Sequence, residues 1–448
     1  MKDLTEGPIS GHILQMAGFM AIGMIGQTLY YLVDLYFVSG LGSDAIAGVG
    51  TAGNIAFLVL AATQILAVGT VTLISHAVGR KDQPGANLVF NQSLVLSAAC
   101  AVAVLVLGYT LTLPYLRSVG ADAGTVDAGK QYLYWFLPGL ALQFAMVSMS
   151  SALRGTGIVK PTMTLQVLTV VLNVILAPIL IAGWGTGHPF GVAGAGLAST
   201  ISIAIGVVLL VWYFLRLEKY VGFHSSMWRP RLDSWQRLLN IGLPAGGEFA
   251  LMFVFAGIIY WCLRDFGAEA QAAFGIGGRI MQSIFLPAMA IAFAVAPVAG
   301  QNFGARRADR VRQTFQTAAL IETGVMAVLT VLCAWAPHVL VEPFTKDPRV
   351  IEMGSQYLQI VAWNFVASGF IFCCSGMFQA MGNTWPSLLS SATRLVTFAI
   401  PAVWLSVQPG FRLEQLWYLS VATYALQAVF SFALVRRELR RKLVFAPA

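Results

Sequence analysis

The chain has 448 residues, 58% of them hydrophobic and only 10% charged, with a mean hydropathy of +0.75 and a formal net charge of +8. A soluble globular chain carries about 25% charged residues, so this composition excludes a string of soluble domains, and its hydropathy excludes disorder. Five cysteines lie in apolar stretches without metal-ligand spacing, which leaves neither a disulfide scaffold nor a zinc site. A membrane helix needs roughly 17–25 mostly apolar residues. Twelve such stretches follow one another: 12–38, 47–78, 88–113, 126–152, 160–182, 192–216, 236–263, 272–302, 312–337, 350–380, 386–406 and 415–438. The polar start, Met1 to Ser10, runs into the first full span, so no cleavable leader is expected. Turn chemistry separates the spans at Gly40–Gly42, Lys81–Gly85, Gly183–Gly191 and Gln408–Gly410.

Nineteen of the 27 Lys and Arg residues flank one set of span ends, six flank the other, and Arg279 and Arg394 fall inside spans. That asymmetry predicts a multi-pass inner-membrane protein with both termini in the cytoplasm. It also accounts for the net charge, so the lipid bilayer is the expected partner and nucleic acid is not.

The chain repeats itself at an offset of 225 residues. Gly42, Gly50 and Gly53 pair with Gly267, Gly275 and Gly278, and Asp122 pairs with Asp347. Gly129-Lys130-Gln131-Tyr132-Leu133 pairs with Gly354-Ser355-Gln356-Tyr357-Leu358, and Gly157 and Pro161 pair with Gly382 and Pro386. Six spans per repeat is an even number, so both halves enter the membrane in the same direction. The expected fold is an all-α polytopic membrane protein, with twelve helices in two parallel six-helix repeats around a central cleft. The lobes are expected at 1–216 and 237–448, joined by a basic cytoplasmic linker over 217–236. Two similar bundles of this kind suit alternating access, the working principle of secondary transporters.

Several stretches carry a resemblance. They are Tyr31 to Gly42 closing helix 1, Ala152-Leu153-Arg154-Gly155-Thr156-Gly157 before Lys160-Pro161, and Gly191 to Ala198 opening helix 6. Gly242-Leu243-Pro244-Ala245 and Gln301-Asn302-Phe303-Gly304-Ala305 complete the set. Together, and over nearly the whole chain, they resemble the multidrug and toxic compound extrusion (MATE) family, with features of its DinF-like branch. The resemblance implies cation-coupled export of amphipathic, often cationic, organic compounds, with no enzymatic activity and no cofactor beyond the coupling ion. One chain supplies both lobes, so a monomer is the expected functional unit.

Asp34 is the sharpest single residue. A carboxylate inside a span costs several kcal/mol or is neutralised by taking up a proton, so it reads as functional. The alternative places it in the outer headgroup zone at the end of helix 1. Gln27, Tyr30, Tyr31 and Val38 share its helix face. The resemblance implies a coupling site in which Asp34 is joined by Asn173 in helix 5 and Thr200 in helix 6. Two positions depart from the family pattern. Ala177 stands where the DinF-like branch commonly has a second carboxylate, which favours H+ over Na+ as the coupling ion. Phe19 stands where many relatives have a helix-bending proline.

Glu248 in helix 7, with Tyr30, Met24, Phe253 and Met281, forms the candidate substrate-binding set. Methionine adapts to varied shapes and aromatic faces attract cations, although the same residues are also ordinary packing groups. Glu322 in helix 9 is a weaker candidate.

Gly124 to Gln131 misses a P-loop by ending in Gln and by having no preceding strand. No zinc-protease or nucleophile-elbow motif occurs, so a membrane enzyme is disfavoured. A lipid-linked oligosaccharide flippase of similar repeat plan would need many basic residues within its spans, and only Arg279 and Arg394 are there. A metabolite exporter remains the other alternative.

Overall fold

The computed structural model describes residues 1–120 and 122–445, with Tyr31 described by its backbone alone. The Tyr31 side chain expected beside Asp34, and the last three residues of the expected second lobe, therefore lie outside the described residues. Among the described residues all regular structure is helical. In chain order the helices are α1 (Ile9–Ser39), α2 (Ser43–Gly79), α3 (Gln83–Val119), α4 (Ala123–Gly155), α5 (Lys160–Ala182), α6 (Gly191–Arg216) and α7 (Leu232–Leu263). They continue as α8 (Gly267–Gly304), α9 (Ala308–Trp335), α10 (Pro337–Val341), α11 (Pro348–Val361), α12 (Asn364–Ala380), α13 (Trp385–Ser406) and α14 (Leu413–Lys442).

These helices supply the twelve expected spans. Eleven are single helices, with α7 and α8 separated by a 3-10 turn over Arg264–Phe266. The expected continuous span over 350–380 is instead two helices, α11 and α12, meeting at 54°. At the break, neighbouring helices supply hydrogen-bond partners. The Thr330 hydroxyl donates to the Ala362 carbonyl at 3.1 Å, and the Asn364 amide donates to Ser420 Oγ at 3.2 Å. The span expected over 312–337 stops at Trp335, because Pro337 starts the separate short helix α10.

The repeat is visible in the backbone. The only non-glycine residues with positive φ among the described residues are Lys81 (58°) and Arg306 (59°), which are 225 positions apart. Asp122 and Asp347, another such pair, cap α4 and α11 by accepting from Thr125 N at 2.7 Å and Arg349 N at 2.9 Å. Hydrogen bonds from Thr125 hold the exposed Asp122 carboxyl below the usual carboxylate range. Gly42 precedes α2 and Gly267 opens α8, with φ of 108° and 83°, a region where a side chain is strained.

The chain forms two compact units that differ from the expected lobes. One comprises Met1–Asp3 and Phe19–Gly242, the other Leu4–Gly18 and Leu243–Ala448. Residues 4–18 belong to the second unit, where polar groups of α8, of α9 and of the turn between them hold Leu4 to Gly7. Leu4 N donates to Gln301 Oε1 at 2.9 Å, and Arg307 and Arg310 donate to the carbonyls of Thr5 and Gly7 at 2.6 and 2.9 Å. Reciprocally, the first turns of α7 join the first unit, where Leu238 is packed in one core with Leu66.

The segment expected as a linker, 217–236, is likewise part of the first unit. Three amides at the start of α3 hold its backbone. Asn87 bonds Tyr220 O and Gly222 N, at 3.1 and 2.8 Å. Asn91 bonds Gly222 O, His224 N and the Trp228 indole, at 2.9, 3.0 and 2.9 Å. Gln92 bonds Met227 O, Arg229 O and Arg231 N, at 2.6, 2.8 and 2.9 Å. Asn91→Ala removes three of these bonds at once, each worth about 0.5–1.5 kcal/mol. The variant is expected to melt at a lower temperature and to become protease-sensitive between 217 and 231. Wild-type cleavage kinetics would show that the clasp does not hold the segment.

Candidate functional site

In the first unit, α1 and α5 run side by side in the same direction. Gly23 faces Met163 and Gln166, Gly26 faces Val170, and Gln166 Nε2 donates to Gln27 Oε1 at 3.5 Å. Asp34 and Asn173 each stand seven residues, two helical turns, beyond that glutamine pair, so the register carries them to the same level. One turn further, Val38 and Ala177 share a hydrocarbon core with Phe136 and Ile181.

Asp34 is 6% exposed. Tyr132 of α4 hydrogen-bonds its carboxylate, while Oδ1 is buried without a partner. Asn173 is fully buried, its amide donates to Ser199 Oγ of α6 at 3.4 Å, and its Oδ1 also lacks a partner. Two unsatisfied oxygens thus stand at one level on neighbouring helices. A buried polar group left so costs about 1–3 kcal/mol, and the arrangement is suited to receive a proton or a small cation.

The α6 hydroxyl that meets Asn173 is therefore Ser199, not Thr200. The Thr200 hydroxyl donates to Trp135 O at 2.5 Å and accepts from Gly139 N at 3.2 Å, tying α6 to α4 with its one proton committed. Tyr132 and Ser199 are the residues that sequence reasoning missed. Tyr132 lies inside the Gly129–Leu133 repeat match, but nothing local connects it to helix 1.

The second repeat provides an internal control. At the offset of 225, Asp34 corresponds to Ile259, Asn173 to Phe398 and Tyr132 to Tyr357. All three pack in one hydrocarbon core, and the Tyr357 hydroxyl donates to Met281 Sδ at 3.0 Å. The same helical frame is thus filled with hydrocarbon in one unit and with an acid–amide pair in the other, so packing alone does not demand Asp34 and Asn173.

Met281 is 8% exposed and belongs to that core, which removes it from the substrate-binding candidates as a free wall residue. Phe253 is 47% exposed. Tyr30 and Met24 are half-buried on α1. Glu248 is half-buried on α7, accepts from Ser375 Oγ at 3.4 Å through Oε2, and lies near Arg394. Arg394 is sandwiched between the rings of Phe255 and Tyr424, 4.5 and 4.3 Å from their centroids. Its cationic face is thus taken up by aromatic carbon. Glu322 is completely buried between α9 and α12 beside Gly369 and Met326, with both carboxylate oxygens lacking partners.

The MatE family model matches residues 20–179 and 244–405, one stretch in each repeat. The probable multidrug resistance protein YoeA of Bacillus subtilis is 26% identical over 386 residues, covering 84% of this chain and 79% of the relative. The FAD transporter of Shewanella oneidensis is 24% identical over 408 residues, covering 90% and 89%. Among solved structures, a MOP superfamily transporter from Pyrococcus furiosus superimposes with a TM-score of 0.91 at 25% identity over 98% of both chains.

Proposed function

Because the chain belongs to the MatE family, whose members are multi-pass membrane transporters and not enzymes, we propose that it exports amphipathic or cationic organic compounds in exchange for an inward-moving cation, the proton. The observation that carries the reading is the Asp34–Asn173 pair, whose unsatisfied oxygens share one level while the second repeat has Ile259 and Phe398. The relative named as a multidrug resistance protein supports the substrate class.

A proton suits this site better than sodium. Sodium wants several hard oxygens, and Ala177 adds none to those of Asp34, Asn173 and Ser199. In the cycle, Asp34 takes a proton from the outer side, and its neutralisation favours the conformation that releases substrate outward. The proton then leaves to the cytoplasm, where both termini lie. Ion and substrate are linked by a coupling free energy, so each weakens the hold of the other by the same factor.

A second reading, export of an anionic metabolite, rests on the relative named as an FAD transporter. The structural relative from Pyrococcus furiosus is itself described as having a binding pocket of reversed polarity and a different function. Purified protein in liposomes separates the readings. A fluorescent organic cation and FAD are followed under an imposed proton gradient and then under a sodium gradient. Cation export driven by protons alone is the expected result. Movement of FAD with no movement of the cation would establish the second reading, and drive by sodium alone would overturn the proton.

A further inference from the structure

The C-terminal end of α14 carries Arg436, Arg437, Arg440 and Arg441 within two turns, and Arg312 of α9 faces it across a groove. Beside this groove, of about 350 Å³, lies a recess of about 600 Å³ lined by α14 alone, and Arg436 and Arg440 line both. The floor of the recess toward the middle of the span is apolar, formed by Val429, Phe432 and Ala433. Val429 is 69% exposed and Phe432 42%.

The arginines here differ from other basic residues of the chain. Arg307 and Arg310 are committed to the carbonyls of Thr5 and Gly7. Arg436, Arg437 and Arg440 have no ion pair or side-chain hydrogen bond among the described residues. The acidic groups nearby do not pair with these three arginines. Glu438 is buried and pairs with Arg441 and Lys442, both at 3.9 Å, and Asp309 pairs with Arg312 at 3.6 Å. Like charges one turn apart on a helix repel. An anion between Arg436, Arg440 and Arg312 would remove that repulsion and accept forked guanidinium bonds.

We propose that this groove between α9 and α14 binds the phosphate headgroup of an anionic phospholipid, with an acyl chain on Val429, Phe432 and Ala433. The apolar floor selects a lipid over a soluble phosphate, because it continues the hydrocarbon face of the span directly beneath the charges. The proposal is independent of the transported substrate and of the coupling ion.

The test is native mass spectrometry of the full chain in detergent, titrated with phosphatidylglycerol or with phosphatidylcholine of the same acyl chains. Wild type is expected to retain phosphatidylglycerol at least about tenfold more tightly than phosphatidylcholine. The double variant Arg436→Gln/Arg440→Gln is expected to lose about tenfold or more of that affinity. Arg229→Gln/Arg231→Gln removes equal charge from an exposed segment outside the groove and is expected to bind as wild type. Arg436→Lys/Arg440→Lys keeps the charge without the fork and is expected to fall between. Melting temperatures without added lipid establish that each variant is folded. Equal losses in the groove and control variants would reduce the effect to general charge attraction and overturn the site. Unchanged binding in the groove variant, or displacement of the lipid by millimolar inorganic phosphate, would overturn it as well.

Discussion

Asp34→Asn is expected to abolish proton-driven export while leaving a folded protein that still binds substrate. The amide keeps the size of the side chain and can keep a bond to Tyr132, but it cannot carry a proton across the membrane. Folding should survive, because the second repeat places Ile259 at the corresponding position within a complete core. Coupling free energies of 1–3 kcal/mol correspond to factors of about 5–150. Gradient-driven accumulation should therefore fall by that order, while substrate affinity becomes insensitive to pH. Tyr132→Phe removes the bond to the carboxylate and leaves its titration in place. A shifted pH profile with transport retained is the expected result there. The checks are transport in liposomes under an imposed gradient and substrate binding by fluorescence anisotropy at two pH values. If Asp34→Asn exports as well as wild type, Asp34 is a structural residue and Glu248 becomes the leading carboxylate.

The frame of the molecule was legible because its signals are local or periodic. Apolar run length marks the spans, and one fixed offset marks the repeat, down to the paired caps Asp122 and Asp347. The site was legible only in part. Asp34 and Asn173 announce themselves as polar atoms in hydrocarbon runs. Ser199 does not, because one residue along a helix turns the side chain by about 100°, enough to exchange it with Thr200. Tyr132 was hidden because its bond to Asp34 joins helices about a hundred positions apart. The same limit concealed the clasp on 217–231. Nothing in the local sequence marks Asn87, Asn91 and Gln92 for that role, because their partners lie more than 130 positions away. Met281 shows the opposite error, since an adaptable methionine in a span has the same composition signal in a core as on a cavity wall.

Gly196→Val is expected to damage both the stability and the transport of the first unit. α6 passes α4 so closely that a side-chain carbon at Gly196 would collide with the Tyr132 carbonyl oxygen, and would lie 3.1 Å from Phe136 N and 3.2 Å from Trp135 Cβ. Two of these neighbours are backbone, which cannot rotate away as a side chain does. Small residues at membrane helix interfaces permit such approaches. Overfilling a packed contact costs about 1–3 kcal/mol when side chains yield, and more when backbone must move. The displaced segment is the one that carries Tyr132 to Asp34 and presents Trp135 O and Gly139 N to Thr200. Loss of stability and loss of transport should therefore appear together. The variant should yield little protein with a lowered melting temperature, and the folded fraction should transport poorly. Gly50→Ala and Gly53→Ala are the controls, since nothing lies within 4 Å of a carbon added at either position, and both should behave as wild type. A Gly196→Val protein that melts normally would show that α4 and α6 can separate at little cost. The tight contact would then not be what holds Tyr132 against Asp34.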